Sequence, residues 1–255
     1  MPLRAERATI GVNGRALVHD LTFDLRAGEF LAILGRNGSG KSLTLHALAG
    51  MRAMAAGQIL LDDRDITAMP RRLIARRLGL LAQDREESLS LSTLESALIG
   101  RHPHLRFWQR ESAQDIEIAR TALWQVGLGD CAHRLVHTLS GGEQRRAAMA
   151  SLLTQQPQIY LLDEPTNHLD PHHQVQILQL FRSLCRQGAC VVATLHDPTL
   201  AERFADRVLL LYGDSRYQLG SVTDVLTETE LSALYLTPIE VMGEAPRRAF
   251  IPSCP

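Results

Sequence analysis

The sequence has little cysteine and no excess of basic residues. Its four cysteines follow no C-x-x-C spacing and have no matched histidine framework, so we expect reduced thiols in a cytosolic protein; they are Cys131, Cys185, Cys190 and Cys254. Lysine and arginine number 27 against 28 aspartates and glutamates, which gives a net charge of −1. Because nucleic-acid-binding proteins usually carry a basic excess, this balance gives no support to a DNA or RNA partner.

Long hydrophobic runs are also missing. No apolar stretch approaches the roughly 20 residues that a membrane-spanning helix needs, and the opening MPLRAERATI lacks the apolar core of a signal peptide. We therefore expect any work at a membrane to go through a partner protein. The 255 residues are 45% hydrophobic and 22% charged, which is an ordinary globular composition with room for one large α/β domain or a core with an inserted lobe.

Short apolar runs alternate with helical patterns along the chain. Six strands are predicted, at residues 29–34, 57–62, 78–83, 158–164, 189–196 and 207–213. The last three runs are almost continuously apolar, as strands buried on both faces of a parallel sheet are. This alternation predicts a doubly wound α/β core. The stretch 16–30 instead alternates polar and apolar residues around a glycine turn, which predicts a small antiparallel element packed on the core.

The pattern changes from strands to helices between residues 84 and 155. Ser112 and Asp115 have the spacing of a capping box at a helix start, and a second helix is predicted through EQRRAAMASLLTQ. The tail shows a hairpin-like GDSRYQLGS and a short helical TETELSALY, and its ending suggests no chemistry. The sequence predicts a core in two parts, residues 1–84 and 155–228. A helical subdomain at 85–154 is inserted between them, and a tail follows at 229–255.

A glycine-rich stretch, LGRNGSGKS, joins a predicted strand to a predicted helix. It fits the phosphate-loop pattern G-x-x-x-x-G-K-[ST], in which backbone N–H groups close around a polyphosphate at the positive end of a helix. Lys41 is expected to reach the β- and γ-phosphates, and the Ser42 hydroxyl to ligate Mg²⁺. The residues predicted to bind the polyphosphate are Gly35, Arg36, Asn37, Gly38, Ser39, Gly40, Lys41 and Ser42.

Two adjacent carboxylates end the predicted strand QIYLLDEP. Asp163, at the carboxyl end of a strand beside the phosphate loop, is expected to share Mg²⁺ with Ser42. Glu164 is then placed to polarise a water for in-line attack on the γ-phosphorus, and is the predicted catalytic base. A phosphate loop alone fits kinases, GTPases and many ATPases, and this carboxylate pair narrows the choice.

The stretch LSGGEQ at 139–144 resembles the signature sequence of ABC-type ATPases. The further motifs stand in that family's order, namely the phosphate loop, Gln83, the signature, IYLLDEP, NHLD and His196, and the resemblance covers essentially residues 5–230. It implies an α/β fold with a RecA-like P-loop NTPase core, a small N-terminal antiparallel β element and an inserted helical subdomain. It also implies that ATP is hydrolysed with Mg²⁺.

Further roles follow from this resemblance. The signature of one subunit completes the ATP site of a second copy, which predicts a head-to-tail homodimer enclosing two ATP molecules. Gln83 is expected to touch Mg²⁺ or the attacking water, and His196 to contact the γ-phosphate. The residues expected to act across the dimer are Ser140, Gly141 and Gly142 of the signature and Asp170 of NHLD. The histidine-rich HLDPHH could also suggest a metal site, an interpretation that we do not favour.

Two positions depart from the family's pattern. The aromatic residue that usually stacks on adenine falls near Val12, and no aromatic residue stands there. Since stacking contributes roughly 1–3 kcal/mol per base, we expect weaker contact with the base. Leu43 stands where the family commonly has threonine, so a hydroxyl contact with the α-phosphate is expected to be lost.

The stretch STLESALIGRHPH at 92–104 is similar to the segment after Gln83 in the ATPases of iron-siderophore, haem and cobalamin importers. This predicts the ATPase subunit of such an importer, peripheral on the cytoplasmic face of the inner (plasma) membrane. The alternative is a soluble ABC ATPase acting on ribosomes or another non-transport assembly. An integral membrane permease is expected to dock near 92–104, with a periplasmic or lipoprotein substrate-binding protein acting indirectly. In the docking site, Leu94, Leu98 and Ile99 would form an apolar wall rimmed by Arg101, His102 and His104, although this helix could also simply pack the insert. The run RRLIARR at 71–77 is interpreted as a solvated helix face.

Overall fold

The computed structural model describes residues 2–82, 90–106, 108–245 and 247–253. Within these ranges the strands are β1 (Leu3–Val12), β2 (Arg15–Leu25), β3 (Phe30–Gly35), β4 (Ala56–Leu61), β5 (Arg64–Asp65), β6 (Leu78–Leu81), β7 (Ile159–Leu162), β8 (Cys190–Thr194), β9 (Arg207–Leu211), β10 (Tyr217–Ser221), β11 (Ile239–Met242) and β12 (Ala249–Pro252). The α-helices are α1 (Lys41–Leu48), α2 (Arg71–Arg77), α3 (Thr93–Leu98), α4 (Ala113–Gln125), α5 (Gly141–Gln155), α6 (Pro171–Arg186), α7 (Pro198–Phe204), α8 (Val222–Val225) and α9 (Glu228–Tyr235).

A six-stranded sheet forms the core, in the order β10-β9-β3-β8-β7-β6. Its strands are parallel except for β10, which pairs antiparallel with β9 at one edge. Alternate residues of β3 enter two separate apolar clusters: Phe30, Ala32 and Leu34 lie in one, and Leu31 and Ile33 in the other. Because the sheet is buried on both faces, its strands read as continuous apolar runs. The predicted α/β core is confirmed.

A second, antiparallel sheet has the order β2-β1-β4-β5. The turn between β1 and β2 contains Asn13 and Gly14, both with positive φ, as a tight hairpin with right-handed twist requires. Two interpretations of the sequence are therefore corrected. Residues 57–62 form a strand, but β4 belongs to this sheet and not to the parallel core. The turn at Gly28 joins two different sheets, because β2 pairs with β1 and not with β3.

The helices α3, α4 and α5 lie between β6 and β7 and pack on one another. Each begins with a capping box in which a serine hydroxyl accepts from the third backbone N–H and an acid side chain bonds back to the serine. The box predicted at Ser112 and Asp115 is confirmed, and the helix predicted through 143–155 begins two residues earlier at Gly141.

The tail adds a strand, two short helices and a hairpin to the core. Residues 217–221 form β10, and the helix predicted at 227–235 is α9. The ending without assigned chemistry contributes β12, which pairs with β11. Arg248 is bound in two places to the buried carboxylate of Glu202 on α7, at 2.8 and 2.7 Å, which holds the tail on the core. Within the described ranges, none of the helices combines the length and apolarity needed to cross a membrane.

Candidate functional site

The phosphate loop connects β3 to α1 at the carboxyl edge of the parallel sheet. Gly40 is the residue before the helix and has φ 101°, in the left-handed region that glycine adopts without strain. At Gly35 a side chain is excluded, because a Cβ there would lie 2.4 Å from Ser39 Oγ and 2.6 Å from the Leu211 carbonyl oxygen. No side chain caps α1 and no acidic residue stands in its first turn, so its first N–H groups are left for an anion.

Lys41 is folded back onto the loop that precedes it. Its Nζ donates to the carbonyl oxygens of Gly35 at 2.8 Å and Arg36 at 3.1 Å. Burial lowers the pKa of the Lys41 amine, while the nearby carboxylates of Glu164 and Asp163 act in the opposite direction. A buried cation held by two carbonyl oxygens is poised to transfer its hydrogen bonds to phosphate oxygens.

The loop opens onto a cavity of about 480 Å³. The cavity brings together residues predicted from three separate motifs: Lys41 and Ser42 of the loop, Glu164 at the end of β7, and His196 after β8. Its full lining is Asn37, Gly38, Gly40, Lys41, Ser42, Leu43, Glu164, Asn167 and His196. Asn167 was not predicted as a site residue, although it stands in the NHLD motif.

Asp163 is 1% exposed, and its two carboxylate oxygens differ. Oδ1 accepts a hydrogen bond from the Thr194 hydroxyl at 2.8 Å. Oδ2 is buried and has no hydrogen-bond partner among the described residues. Burying an unpaired carboxylate oxygen is costly, and oxygen ligands are what Mg²⁺ prefers. The donor set of Asp163 and Ser42 therefore fits the predicted Mg²⁺ site.

Glu164 is held from several sides. Its backbone has φ 48°, and its N–H donates to Thr194 Oγ1 at 2.7 Å. Its Oε1 lies 2.7 Å from His196 Nε2, and the Asn167 side-chain amide donates to Oε2. With a side chain only 9% exposed, the carboxylate faces the cavity in a fixed orientation, as a general base requires.

Arg145, on the signature helix α5, reaches across to the two carboxylate residues. Its guanidinium donates to the carbonyl oxygens of Ala82 at 2.6 Å and Glu164 at 3.0 Å, and also to that of Asp163. The helical segment is thus bonded directly to the backbone at the carboxyl ends of β6 and β7. This role could not be predicted from the sequence, because RR in the signature helix resembles any solvated basic pair.

The signature residues lie elsewhere. Ser140 caps α5, with its Oγ accepting from the Glu143 N–H at 3.3 Å and its own N–H donating to the Glu143 carboxylate at 2.8 Å. That backbone hydrogen bond is the main reason why the pKa of Glu143 is lowered. Gly142 lies against the backbone of His168. Among the described residues, the lining of the phosphate-loop cavity includes none of Ser140, Gly141 or Gly142.

The sequence profile of the ABC transporter family matches residues 18–167, more than half of the chain. The chain belongs to the ABC transporter family. This confirms the resemblance predicted from the ordered motifs, and with it the assignment of the chain as an ATP-binding and ATP-hydrolysing cassette.

Relatives of this ABC protein are import ATPases. It is 40% identical over 224 residues to the hemin import ATP-binding protein HmuV of Pseudomonas entomophila (strain L48), covering 86% of each chain. It is 35% identical over 234 residues to the ferric enterobactin transport ATP-binding protein FepC of Escherichia coli (strain K12), covering 91% of this chain and 86% of the relative. A metal-chelate type ABC transporter solved in an inward-facing conformation matches with TM-score 0.86 and 28% identity, covering 99% of this chain and 98% of that one.

Asp170 and Val12 stand outside the lining of the cavity. Asp170 caps α6 and is bonded to His173, through the backbone N–H at 2.9 Å and the ring Nδ1 at 2.8 Å. The first of these bonds is the main cause of the lowered pKa of Asp170. Gln83 lies outside the described residues. Val12, where an adenine-stacking aromatic residue was expected, ends β1 with 36% of its surface exposed, and Leu43 lines the cavity.

Some side chains in the stretch predicted to dock a permease are instead bonded to other residues of the same chain. This corrects part of the predicted rim of the docking site. Arg101 is paired with Asp115 at 2.7 Å, with both side chains largely buried. Hydrogen bonds from Ser112, reinforced by Arg101, lower the pKa of Asp115 to about 2. His104 is bonded to the Gln155 carbonyl oxygen at 2.8 Å. Arg101 is therefore too buried to rim a groove, whereas His104 is half-buried.

Arg71, Arg72 and Arg76 are exposed, as predicted for a solvated face of α2, and two of them also bind a turn of the same chain. Arg76 Nε donates to the Pro103 carbonyl oxygen at 2.8 Å, and Arg72 donates to those of Pro103 and Leu105. These bonds fix the 103–105 turn on the core. Ile99 keeps 38% of its surface exposed beside that turn.

Proposed function

We propose that this chain is the ATP-hydrolysing subunit of an importer for haem or a ferric siderophore. The observation that carries the proposal is the cavity in which Lys41, Glu164 and His196 meet, in a chain whose relatives are named for hemin import and ferric enterobactin transport. These relatives favour haem and siderophores over cobalamin, and they give no support to the alternative of a ribosomal ATPase.

In the proposed reaction, water attacks the γ-phosphorus of ATP and ADP leaves with inorganic phosphate. Glu164 accepts the proton of the attacking water at its carboxylate. His196, already 2.7 Å from that carboxylate, orients it and contacts the γ-phosphate. Lys41 and the N–H groups at the start of α1 bind the phosphate oxygens. Asp163 and Ser42, together with the sequence-predicted ligand Gln83, would hold Mg²⁺, which would neutralise charge on the phosphate oxygens.

A second copy of the chain supplies the signature in this proposal. Ser140, Gly141 and Gly142 lie outside the lining of the cavity. In a head-to-tail homodimer, the start of α5 in one copy would face the ATP on the other copy, with Asp170 crossing at the same interface. ATP then favours the closed dimer over the open one, and hydrolysis removes that preference, which is a shift between two states by differential affinity.

The permease docks, in this proposal, near residues 92–104 on the cytoplasmic face of the membrane. An apolar cavity of about 420 Å³ lies beside that stretch and includes Met51, Ile74 and Leu80. Gln155 connects the two, since it lines the cavity and its carbonyl oxygen is bonded to His104. A short apolar helix of the permease would fit such a groove, and Ile99, 38% exposed on the same stretch, would contact it. The transported chelate and its substrate-binding protein would act on the permease and not on this subunit.

The decisive variant for the reaction is Glu164→Gln, which keeps the hydrogen-bonding shape and removes the base. With ATP it is expected to elute as a stable dimer in size-exclusion chromatography, and to hydrolyse ATP about 100-fold or more slowly. The matched control is Glu117→Gln on the exposed side of α4, which is expected to behave as wild type. A Glu164→Gln chain that stays monomeric and turns over normally would contradict the proposal.

For docking, Ile99→Asp is expected to release the chain from membranes that contain its permease while leaving its basal ATPase unchanged, because a charge would enter an apolar contact. Leu236→Asp is the control, since Leu236 is 68% exposed in the tail. Membrane flotation of the two variants measures the difference. Equal retention on the membrane would contradict docking at this groove.

A further inference from the structure

A single buried hydroxyl joins the two carboxylate residues of the site. Thr194 is the last residue of β8 and is 0% exposed. Its Oγ1 lies 2.7 Å from the backbone nitrogen of Glu164 and 2.8 Å from Asp163 Oδ1. The backbone N–H can only donate, so the hydroxyl accepts there, and its own proton is directed to Asp163. Both hydrogen bonds are therefore assigned without ambiguity.

The hydroxyl makes the two oxygens of Asp163 unequal. Oδ1 is satisfied by Thr194, while Oδ2 is buried without a partner among the described residues. A bond to one oxygen also fixes the rotation of the carboxylate about its last torsion, which is otherwise broad. The carboxylate is thereby held with one oxygen reserved for a cation.

The same hydroxyl anchors the backbone of Glu164. That residue has φ 48°, in the left-handed region that non-glycine residues seldom occupy and that surrounding contacts must enforce. The N–H bond to Thr194 is one such contact, and it sets the point from which the Glu164 side chain extends to His196. A shift of this backbone would move the carboxylate away from the attacking water.

The place of Thr194 in the fold supports a specific use of its hydroxyl. The preceding residues of β8 are buried and apolar, and Leu195 after it is buried as well. In such a strand valine would fill the same space, and a buried hydroxyl is costly unless it is hydrogen-bonded. Here both of its bonds go to the carboxylate residues of the reaction.

We propose that Thr194 is a positioning residue for ATP hydrolysis, whose one hydroxyl aligns the cation-binding carboxylate of Asp163 and the backbone of the base Glu164 together. This proposal rests on the roles assigned above to those two residues. It predicts that loss of the hydroxyl weakens Mg²⁺ binding and slows turnover together, while the loop that holds the phosphates is left intact.

The test compares Thr194→Val, which keeps the branched shape, with Thr194→Ser, which keeps the hydroxyl. Thr194→Val is expected to lower kcat about 10- to 100-fold, the range for losing a hydrogen bond to a charged group, and to raise the Mg²⁺ concentration for half-maximal activity. Its affinity for ATP without Mg²⁺ is expected to match wild type. Thr194→Ser is expected to stay within about threefold of wild type in both quantities, since it keeps both bonds.

A second readout does not depend on turnover. In the Glu164→Gln background, isothermal calorimetry measures how much Mg²⁺ strengthens ATP binding. Adding Thr194→Val is expected to reduce this gain several-fold, because Asp163 loses the bond that orients it. Thermal unfolding of each variant shows whether the chain is folded, and Thr194→Ala replaces the valine variant if that one does not fold.

The outcomes separate the possibilities. Wild-type kcat and Mg²⁺ dependence in Thr194→Val would overturn the positioning role, as would equal losses in the valine and serine variants, since shape alone would then explain the effect. If Glu164→Gln itself retained turnover, the assignment of the base would fail instead. Loss of turnover in Glu164→Gln with no change in Thr194→Val would overturn the inference about Thr194 alone.

Discussion

The chain contains two glycine-rich helix starts that look alike in sequence and differ in structure. The phosphate loop leads into α1 through Gly40 in the left-handed conformation, with no side-chain cap and no acid in the first turn. The signature leads into α5 through Ser140, whose capping box with Glu143 occupies two backbone N–H groups and places a carboxylate beside the helix start. The start of α1 has no side-chain cap from its own chain, whereas the start of α5 is partly capped by Ser140 and Glu143.

This difference indicates which of the two helix N-termini can bind an anion without a second copy of the chain. At α1 the free N–H groups act with the buried amine of Lys41, so phosphate is attracted by a helix end and a cation together. At α5 the lowered pKa of Glu143 keeps a negative charge near the same kind of helix end, and Arg134 offsets it only from 3.5 Å. The signature is therefore a weak anion site by itself, which fits a group that acts on a nucleotide already held by another copy.

The largest effect on ATP binding and turnover is expected for substitutions at the uncapped N-terminus of α1, in the phosphate loop. Lys41→Met should weaken ATP binding about 10- to 100-fold, because it removes a charged hydrogen-bond donor, and should abolish turnover. Lys41→Arg, which keeps the charge, is the control and should bind more tightly than Lys41→Met. Titration with a fluorescent ATP analogue measures both variants.

The same position offers a direct chemical check, because Lys41 is the only lysine in the sequence. An amine-reactive ester should therefore modify one side chain, and ATP should protect it, as mass spectrometry of the digested chain would show. Modification that ATP does not slow would contradict the contact between Lys41 and phosphate.

Ser140→Arg tests the capped N-terminus of α5. It should stop ATP hydrolysis while leaving ATP binding largely unchanged. The bulky cation is expected to stop turnover, because it blocks approach of the partner's nucleotide, while ATP binding to the chain stays within about threefold of wild type, since the variant leaves the phosphate-loop donors untouched. Ser112→Arg removes an equivalent cap on α4 and controls for the loss of helix stability. Equal loss of binding and turnover in Ser140→Arg would argue against a signature that acts across the dimer.

The smallest effect is expected for Glu143→Gln, which preserves the capping box and removes its charge. An acid at a helix start is stabilising by a fraction of a kcal/mol, so the variant should melt about 1–3 °C below wild type at pH 7. Because the pKa of Glu143 is lowered in the folded chain, its contribution is present above the ordinary pKa of 4.5 and is lost as pH falls through the lowered value. The gap in Tm between the two proteins should therefore close in acid. A gap that widens in acid would contradict this.

The sequence predicted those parts of the molecule that local patterns determine. The phosphate loop, the carboxylate pair and the capping box at Ser112 each depend on residues close together in the chain. The sheet that β4 joins could not be predicted, because pairing with β1 depends on residues about fifty positions away. An apolar run has the same appearance in either sheet.

Hydrogen bonds from polar side chains to residues distant in the sequence could not be predicted, for a related reason. Thr194 looks like an ordinary β-branched residue of a strand, and Arg145 looks like a solvated helix residue. Their hydrogen bonds to Asp163 and Glu164 exist only after β6, β7 and β8 have paired. Arg101 and His104 were placed on a groove by the resemblance, whereas Asp115 and Gln155 engage them inside the chain.

The shared site between two copies is tested most directly by mixing two inactive chains. Lys41→Met keeps an intact signature, and Ser140→Arg keeps an intact phosphate loop, so a mixed dimer contains one complete site. Each variant alone should show no ATPase activity. An equal mixture should recover up to about a quarter of the wild-type rate, because about half of the dimers would then carry one intact site of two. An equal mixture that stays as inactive as its parts would contradict a site built from two chains.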